Sequence, residues 1–424
     1  MNFYKTTLFT VLSTGIKVLA SLIVNKYIAV FFGPVITTAF GNFQNISQVL
    51  TVLSGGGITQ GVTKYVSEFN DNPHRKKEVI RYGANITVLL SLVVSLLTIV
   101  FSSEISLFVF DTTSYRWLIV VSGFLAPFGA LNLFFLSIIN GLYKTKLFIG
   151  LNIAQSIVLL FTSLILMYFW EVGGAFLAIF VTQVISFFII IRFFILRNFS
   201  LFFSLQVNET QVNRLSKYKI FIPFVLMTVT STVLHPLAMM WIRSFISSQL
   251  SIEYAGYWSG ATYISNMLLT VFSMAIATYY LPKISGENCK VKLRNELIFG
   301  LKFAIPISVA VLSFIFFAKE IIITLLYTEE YMHISSILGW QLLGDLVKIM
   351  SWFFSYFMIA KKMTRQYIIS EVFQYVGLCV FTFFLVSFFS LNGVAIAYFI
   401  NNLIYLIVVF FIFICWYKKD IPAV

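Results

Sequence analysis

Long apolar runs separated by short polar joints cover almost the whole chain. A helix needs about 20 mostly apolar residues to cross the hydrocarbon core of a bilayer. On that measure the pattern predicts twelve spans, at residues 7–32, 36–66, 83–103, 117–142, 147–169, 174–196, 219–245, 255–281, 297–318, 336–360, 365–389 and 393–417. Because the runs are continuous rather than short alternating segments, they exclude a membrane β-barrel. The expected class is an all-α integral membrane protein. The first run is interrupted by Lys17 and no small-x-small cleavage pattern precedes it, so it reads as a retained span and not as a signal peptide.

Composition narrows the function classes. Only 11% of the 424 residues are charged and 59% are hydrophobic, whereas soluble domains carry roughly 25% charged residues. A soluble enzyme, a nucleic-acid binder and a secreted disulfide scaffold are excluded together, because so few charges could not keep a surface in water. Cys289, Cys379 and Cys415 lie in unrelated contexts without a CxxC pair, so no metal site is expected. ATP-binding, kinase, hydrolase and HExxH motifs are missing from the sequence, and no catalytic residue or cofactor is expected.

The net charge of +13 is mostly a matter of topology. Alternate joints are basic: 71–77, 143–146, 197–219, 283–294, 361–362 and 418–419. Together with Lys5, Arg81, Arg192, Lys302 and Arg365 they hold 22 of the 29 Lys and Arg residues, and only Arg116, Arg243 and Lys319 fall near the other side. The positive-inside rule then places both termini in the cytoplasm.

The chain also resembles itself at an offset of 216–219 residues. Val172-Gly173-Gly174-Ala175-Phe176-Leu177-Ala178 falls on Leu391-Asn392-Gly393-Val394-Ala395-Ile396-Ala397, Lys144 falls on Lys361, and Gly83 falls on Gly300. The offset equals six spans, an even number, so the repeat is parallel about an axis along the membrane normal. The expected division is an N-lobe at 1–197 (spans 1–6), a cytoplasmic linker at 198–218 and a C-lobe at 219–424 (spans 7–12). Two such lobes are an architecture of alternating-access transporters.

Charges within spans cost roughly 2.5–3.5 kcal/mol each at a helix centre and so point to cavities or partners. Lys17 lies near the middle of span 1. Lys26 is nine residues further on and therefore on the opposite face of a straight helix; the two share a cavity only if the helix bends or the cavity wraps it. Lys26 either snorkels to the outer headgroups or, with Arg243 at the equivalent repeat position, flanks an anionic group. Asp345 and Lys348, at i and i+3 in span 10, are expected to form either a static ion pair or one that opens for substrate or a coupling ion. Lys64 and Glu68 read as an interfacial pair, and His235 as a packing residue or a proton relay. Gly55-Gly56-Gly57, Pro127, Pro223, Pro236 and Pro306 mark bends.

Several stretches carry a family resemblance: Lys17 with Lys26, Phe32-Gly33-Pro34, Asn42-Phe43, Gly61-Val62-Thr63-Lys64-Tyr65-Val66, Asp71-Asn72-Pro73, Arg243, Tyr280-Leu281-Pro282, and Trp340-Gln341-Leu342 with Gly344-Asp345 and Lys348. On these the sequence resembles, along nearly its whole length, the O-antigen and enterobacterial common antigen flippases of Gram-negative bacteria. These are members of the multidrug/oligosaccharidyl-lipid/polysaccharide (MOP) exporter superfamily. The resemblance implies a V-shaped two-lobe fold with a cationic central cavity in the inner membrane. It implies transfer of an undecaprenyl-diphosphate-linked oligosaccharide to the periplasmic leaflet, with polysaccharide polymerase or ligase machinery downstream and coupling to a proton or sodium gradient or to the membrane potential. Lys17, Lys26, Arg243 and Lys348 become the expected diphosphate-binding set, Asp345 the coupling residue, and Lys64, Glu68 and His235 secondary positions. Asn266 stands where the common-antigen type has an acidic residue, which favours an O-antigen repeat unit. The other reading is a multidrug exporter of the same superfamily, moving organic cations; a cavity carrying Lys17 and Lys348 would repel them, leaving only Asp345 and Glu371 to attract them.

Overall fold

The computed structural model describes residues 3–55, 57–69, 72–110, 112–203, 222–276, 280, 283–284 and 289–418, and these are helical almost throughout. The helices are α1 (Phe3–Ser54), α2 (Thr59–Glu68), α3 (Pro73–Val100), α4 (Ser102–Phe110), α5 (Arg116–Gly141), α6 (Thr145–Phe203), α7 (Ile222–Gln249), α8 (Ile252–Ala275), α9 (Lys290–Phe317), α10 (Lys319–Leu326), α11 (Ile334–Ala360) and α12 (Thr364–Lys418). A 3₁₀ turn at Glu329–His333 leads into α11. Most of the expected linker at 198–218 lies outside the described residues.

Eight of the described helices are long and apolar enough to cross a membrane, and three of them contain stretches of 42, 48 and 55 residues. Those three are twice the length of a span, and each contains a break. In α1 the break is at Gly33, with φ 74° and ψ −176°, followed by Pro34. Glycine takes this conformation without the Cβ clash that other residues would meet. In α6 and α12 the breaks are Glu171 (φ 49°) and Ser390 (φ 50°). Just beyond each break a glycine lies against the carbonyl of a residue eight earlier, Gly174 on Leu166 and Gly393 on Leu385. Such proximity is impossible in a straight helix, so each of these helices folds back on itself into two limbs.

Two expectations about helix starts change. Residues 73–82 and 290–296 are not loops; α3 and α9 begin there. Asn72 caps α3 through its side chain, which accepts from the Arg75 N–H at 3.2 Å, and Pro73 occupies the first turn, where its missing N–H costs nothing.

The repeat is built into the backbone. The α5–α6 turn closes with Lys144 N–H donating to Ile139 O (3.2 Å) and Tyr143 N–H to Asn140 O (3.0 Å). The α11–α12 turn closes with Met363 N–H to Met358 O (2.9 Å) and Lys362 N–H to Ile359 O (3.1 Å), every residue displaced by 219. Both are Schellman closures, with Tyr143 (φ 55°) and Lys362 (φ 56°) in the left-handed position. A Cβ on Gly83 would stand 2.9 Å from the Phe134 ring, and one on Gly300 would stand 2.5 Å from the Phe353 ring. The same glycine-under-phenyl packing joins α3 to α5 and α9 to α11.

Two compact units emerge: unit 1 is Met1–Val24 with Ala39–Pro236, and unit 2 is Asn25–Thr38 with Leu237–Val424. They cross the expected lobe boundaries at two places. Residues 25–38 belong with unit 2 because Thr37 Oγ1 shares a 2.8 Å hydrogen bond with Tyr331 OH and Thr38 Oγ1 donates to Ile252 O at 3.2 Å. The start of α7 belongs with unit 1, where Val229 lies 3.0 Å from the place a Cβ on Gly57 would take. Each unit has its own apolar core, around Ile58, Val62, Phe134 and Ile138 in unit 1 and around Ile242, Trp258, Tyr331 and Leu338 in unit 2.

Candidate functional site

Helix α11 carries Gln341, Asp345, Lys348, Trp352 and Ser355 at successive spacings of four and three residues, which places them on one face. That face is turned inward: Gln341 is 2% exposed, Asp345 0% and Lys348 8%. Opposite it stand Ser265 of α8, Glu371 and Gln374 of the first limb of α12, and Tyr398, Asn402 and Tyr405 of the second limb, all buried. The result is a charged interior within unit 2.

Asp345 accepts two hydrogen bonds on Oδ1, from Ser265 Oγ at 2.6 Å and from Tyr398 OH at 2.9 Å. Gln341 Nε2 donates to Ser265 Oγ at 3.3 Å. Oδ2 of Asp345 is buried and has no hydrogen-bond partner among the described residues. Glu371 Oε1 accepts from Tyr405 OH at 2.9 Å, and that phenol also pairs with Ser355 Oγ at 2.9 Å. Gln374 Nε2 donates to Asn402 Oδ1 at 3.2 Å. The Lys348 ammonium lies over the rings of Tyr398 (5.5 Å) and Trp352 (5.9 Å) and interacts electrostatically with both Asp345 and Glu371. The direct Asp345 to Lys348 ion pair expected from their spacing is not formed among the described residues. Serine and tyrosine hydroxyls occupy Asp345 instead, and the aromatic faces hold the lysine. Buried charges survive only where such groups replace water.

The remaining expected positions are distributed as follows. Lys17 and Lys26 are both exposed, Lys17 in unit 1 and Lys26 in unit 2. Arg243 is not an open counterpart of Lys26: it is 7% exposed, its Nε donates to Ser259 Oγ at 2.9 Å, and its guanidinium covers Trp258 at 5.5 Å. Lys64 lies over the Tyr65 ring at 5.4 Å, and the expected Lys64 to Glu68 ion pair is not formed among the described residues because Glu68 points outward. His235 is half-buried in α7, one residue before Pro236. Glu371, which the sequence offers only as a second acid for the multidrug-exporter reading, is a full member of the buried cluster. Its sequence signal is an acid in the middle of an apolar run, with Gln374 three residues later on the same face.

The described helices form two units on a repeated plan, one with a charged interior, and solved membrane proteins share this fold. An inward-facing multidrug-resistance MATE transporter of the MOP superfamily is similar at a TM-score of 0.78 and 17% identity, covering 96% of each chain. The inward closed conformation of the lipid II flippase MurJ is similar at a TM-score of 0.74 and 17% identity, covering 98% of this chain and 94% of that one. The chain belongs to the Polysaccharide biosynthesis protein family, which it matches over residues 3–286. Among curated proteins, the lipid III flippase of Escherichia coli (strain K12) is 28% identical over 429 residues, covering 99% of this chain and all of the relative.

Proposed function

We propose that this protein is a flippase for a lipid-linked oligosaccharide, moving it from the cytoplasmic to the periplasmic leaflet of a bacterial inner membrane and delivering it to polysaccharide polymerase or ligase machinery. The observation that carries this reading is the relationship to a lipid III flippase, which covers 99% of this chain and all of that relative. The finer reading is an O-antigen repeat unit on undecaprenyl diphosphate, supported by the resemblance of the sequence and by Asn266. A lipid diphosphate carries about two negative charges, and basic side chains in a low-dielectric setting replace its hydration. Lys17 and Lys26, both exposed, are the basic side chains this reading assigns to it, whereas Arg243 is engaged with Ser259 and Trp258 within unit 2. Lys348, held between Asp345 and Glu371, links anion binding to a proton gradient, a sodium gradient or the membrane potential through the bare Oδ2 of Asp345.

Purification from cells making a lipid-linked oligosaccharide, followed by mass spectrometry of the bound lipid, tests this directly. The expected result is an undecaprenyl-diphosphate oligosaccharide whose yield falls at least tenfold in Lys17→Ala. Recovery of no polyprenyl lipid, together with lowered drug susceptibility in cells expressing the protein, would replace this reading with that of a multidrug exporter.

A further inference from the structure

The end of unit 2 remote from its basic joints holds a cavity that the reading above leaves unused. α9 runs away from the basic joint at Lys290, α10 and the 3₁₀ turn reverse the chain, and α11 returns to Lys361-Lys362. At the reversal lies an open cavity of about 640 Å³, whose walls include Tyr257, Lys319, Glu329, Glu330, His333 and Ser336. That volume is in the range of small-ligand sites, about 300–1,000 Å³.

Its floor is rigid and its rim is polar. The Tyr257 ring stacks on His333 at 5.2 Å and meets Tyr331 edge-on at 5.5 Å, and Tyr331 is stacked on Tyr327 at 4.7 Å. His333, Glu329 and Glu330 are exposed. Lys319 is held at the wall by its bond to Ser335 O at 3.1 Å. The repeat shows that this is not how every such helix end is built. The positions 217 or 218 residues earlier are Phe40, Phe110 and Tyr115, whose rings close around the buried Phe176 at 6.0, 5.2 and 5.9 Å. Unit 2 has Tyr257, Tyr327 and His333 there, so two phenyls and a phenol have given way to two phenols and an imidazole beside two carboxylates.

We propose that this cavity is a saccharide subsite that takes a neutral or amino sugar of the oligosaccharide headgroup. The proposal rests on the flippase reading and adds a sugar class to it. The exposed His333 ring, backed by Tyr257 at 5.2 Å, is the aromatic surface on which the positively polarised C–H face of a pyranose would lie. Glu329 and Glu330 accept from sugar hydroxyls, and so does Ser336, whose own hydroxyl hydrogen is given to His333 O at 2.8 Å. The same two carboxylates repel uronic and other acidic sugars, which gives the site a selectivity by charge.

Saturation-transfer NMR on the full chain in nanodiscs, with triacetylchitotriose as the neutral probe and trigalacturonic acid as the acidic one, tests the subsite. Wild type is expected to transfer signal to the neutral sugar and at least tenfold less to the acidic one, and E329A/E330A/H333A is expected to weaken the neutral signal at least tenfold. No transfer to the neutral sugar in wild type, or equal transfer in the variant, would overturn the proposal. Should the triple variant fail to fold, His333→Ala alone, at an exposed position, is expected to weaken binding about threefold, and an unchanged signal there is equally fatal. Translocation of a lipid diphosphate oligosaccharide in proteoliposomes decides the flippase reading separately: its absence in a wild-type protein that still binds the sugar sinks that reading and leaves the subsite standing.

Discussion

Two helical hairpins on one backbone plan hold different interiors. In unit 1, Asn132 of α5 donates to Gln183 Oε1 at 2.9 Å and accepts from Gln155 Nε2 at 2.9 Å, a neutral amide chain across the two limbs of α6. Displaced by 219, unit 2 keeps the outer members as Gln374 and Asn402, which bond directly at 3.2 Å rather than through a third amide. Around them it replaces Ala126, Gly129, Asn152, Ile179 and Ser186 with Asp345, Lys348, Glu371, Tyr398 and Tyr405. The backbone is the same in both units while the charge is concentrated in one. An amide chain satisfied within itself is an inexpensive way to fix helix register, whereas buried ions cost several kcal/mol each and are retained where they have work to do. Unit 1 is thus the structural reference against which unit 2 is read.

The largest effect expected from breaking this asymmetry is at Lys348. Lys348→Ala leaves Asp345 and Glu371 in the interior without their shared cation, at a cost of about 3–5 kcal/mol, and abolishes translocation. Lys348→Met combined with Glu371→Gln removes one charge of each sign and is expected to recover at least half of the lost stability, although not the transport. Thermal unfolding and proteoliposome flux measured on both variants decide this. A single variant as stable as wild type would mean that the cluster is not electrostatically coupled.

Next in size is the shared packing. Gly300→Ala would drive a methyl into the Phe353 ring and Gly83→Ala one into Phe134, each overpacking a helix crossing by about 1–3 kcal/mol. The loss is expected to be greater in unit 2, where the approach is 2.5 Å against 2.9 Å. Phe353→Leu should rescue Gly300→Ala. Unfolding midpoints that rank the two glycines the other way would show that the crossings relax independently of the repeat.

These two experiments separate what the sequence displayed from what it concealed. Helix class and the repeat were legible, because apolar period and glycine position are local signals: Gly83 over Gly300 and Gly174 over Gly393 align in the sequence itself. Asp345 and Lys348 were legible as charges in an apolar run. Their partners were not, since Ser265 and Tyr398 lie 80 and 53 residues away, and adjacency on one helix face does not by itself say whether the two charges touch or, as here, interact without a direct ion pair. The enclosure of Arg243 by Ser259 and Trp258 was not legible either, since neither of those residues carries a charge to announce it. The attachment of residues 25–38 to unit 2 rests on hydrogen bonds spanning 294 and 214 residues, which no local pattern encodes.

A smaller effect is expected in the neutral hairpin. Gln155→Leu removes the donor to Asn132 Oδ1 and leaves a buried acceptor unpaired, at a cost of about 1 kcal/mol. Translocation should stay within twofold of wild type, because no charge moves there. The contrast with Gln374→Leu, beside Glu371, sharpens the asymmetry: that variant should lose a similar amount of stability and at least tenfold in flux. Equal flux in the two variants would undo the assignment of the working interior to unit 2.

The smallest expected effect concerns a joint that the two units close with interchanged residues. In unit 1 Arg116, at the start of α5, donates through Nε to Ser102 Oγ at 3.1 Å, at the start of α4. In unit 2 the base is on the short helix and the serine on the long one: Lys319 at the start of α10 donates to Ser335 O at 3.1 Å. Ser102 and Lys319 are 217 residues apart, and Arg116 and Ser335 are 219 apart, so a basic side chain crosses the joint from opposite ends in the two units, to the Ser102 hydroxyl in one and to the Ser335 backbone carbonyl in the other. Such partly exposed bonds contribute little, and Arg116→Ala or Lys319→Ala alone is expected to lower the unfolding midpoint by on the order of 1 °C. Importing the arrangement of unit 2 into unit 1 by Ser102→Lys with Arg116→Ser should restore that degree, since a lysine at 102 faces the chain at 116 as Lys319 faces Ser335. A double variant less stable than Arg116→Ala would show that the two joints are similar only in composition, and that the repeat at this end is one of helices without a repeat of contacts.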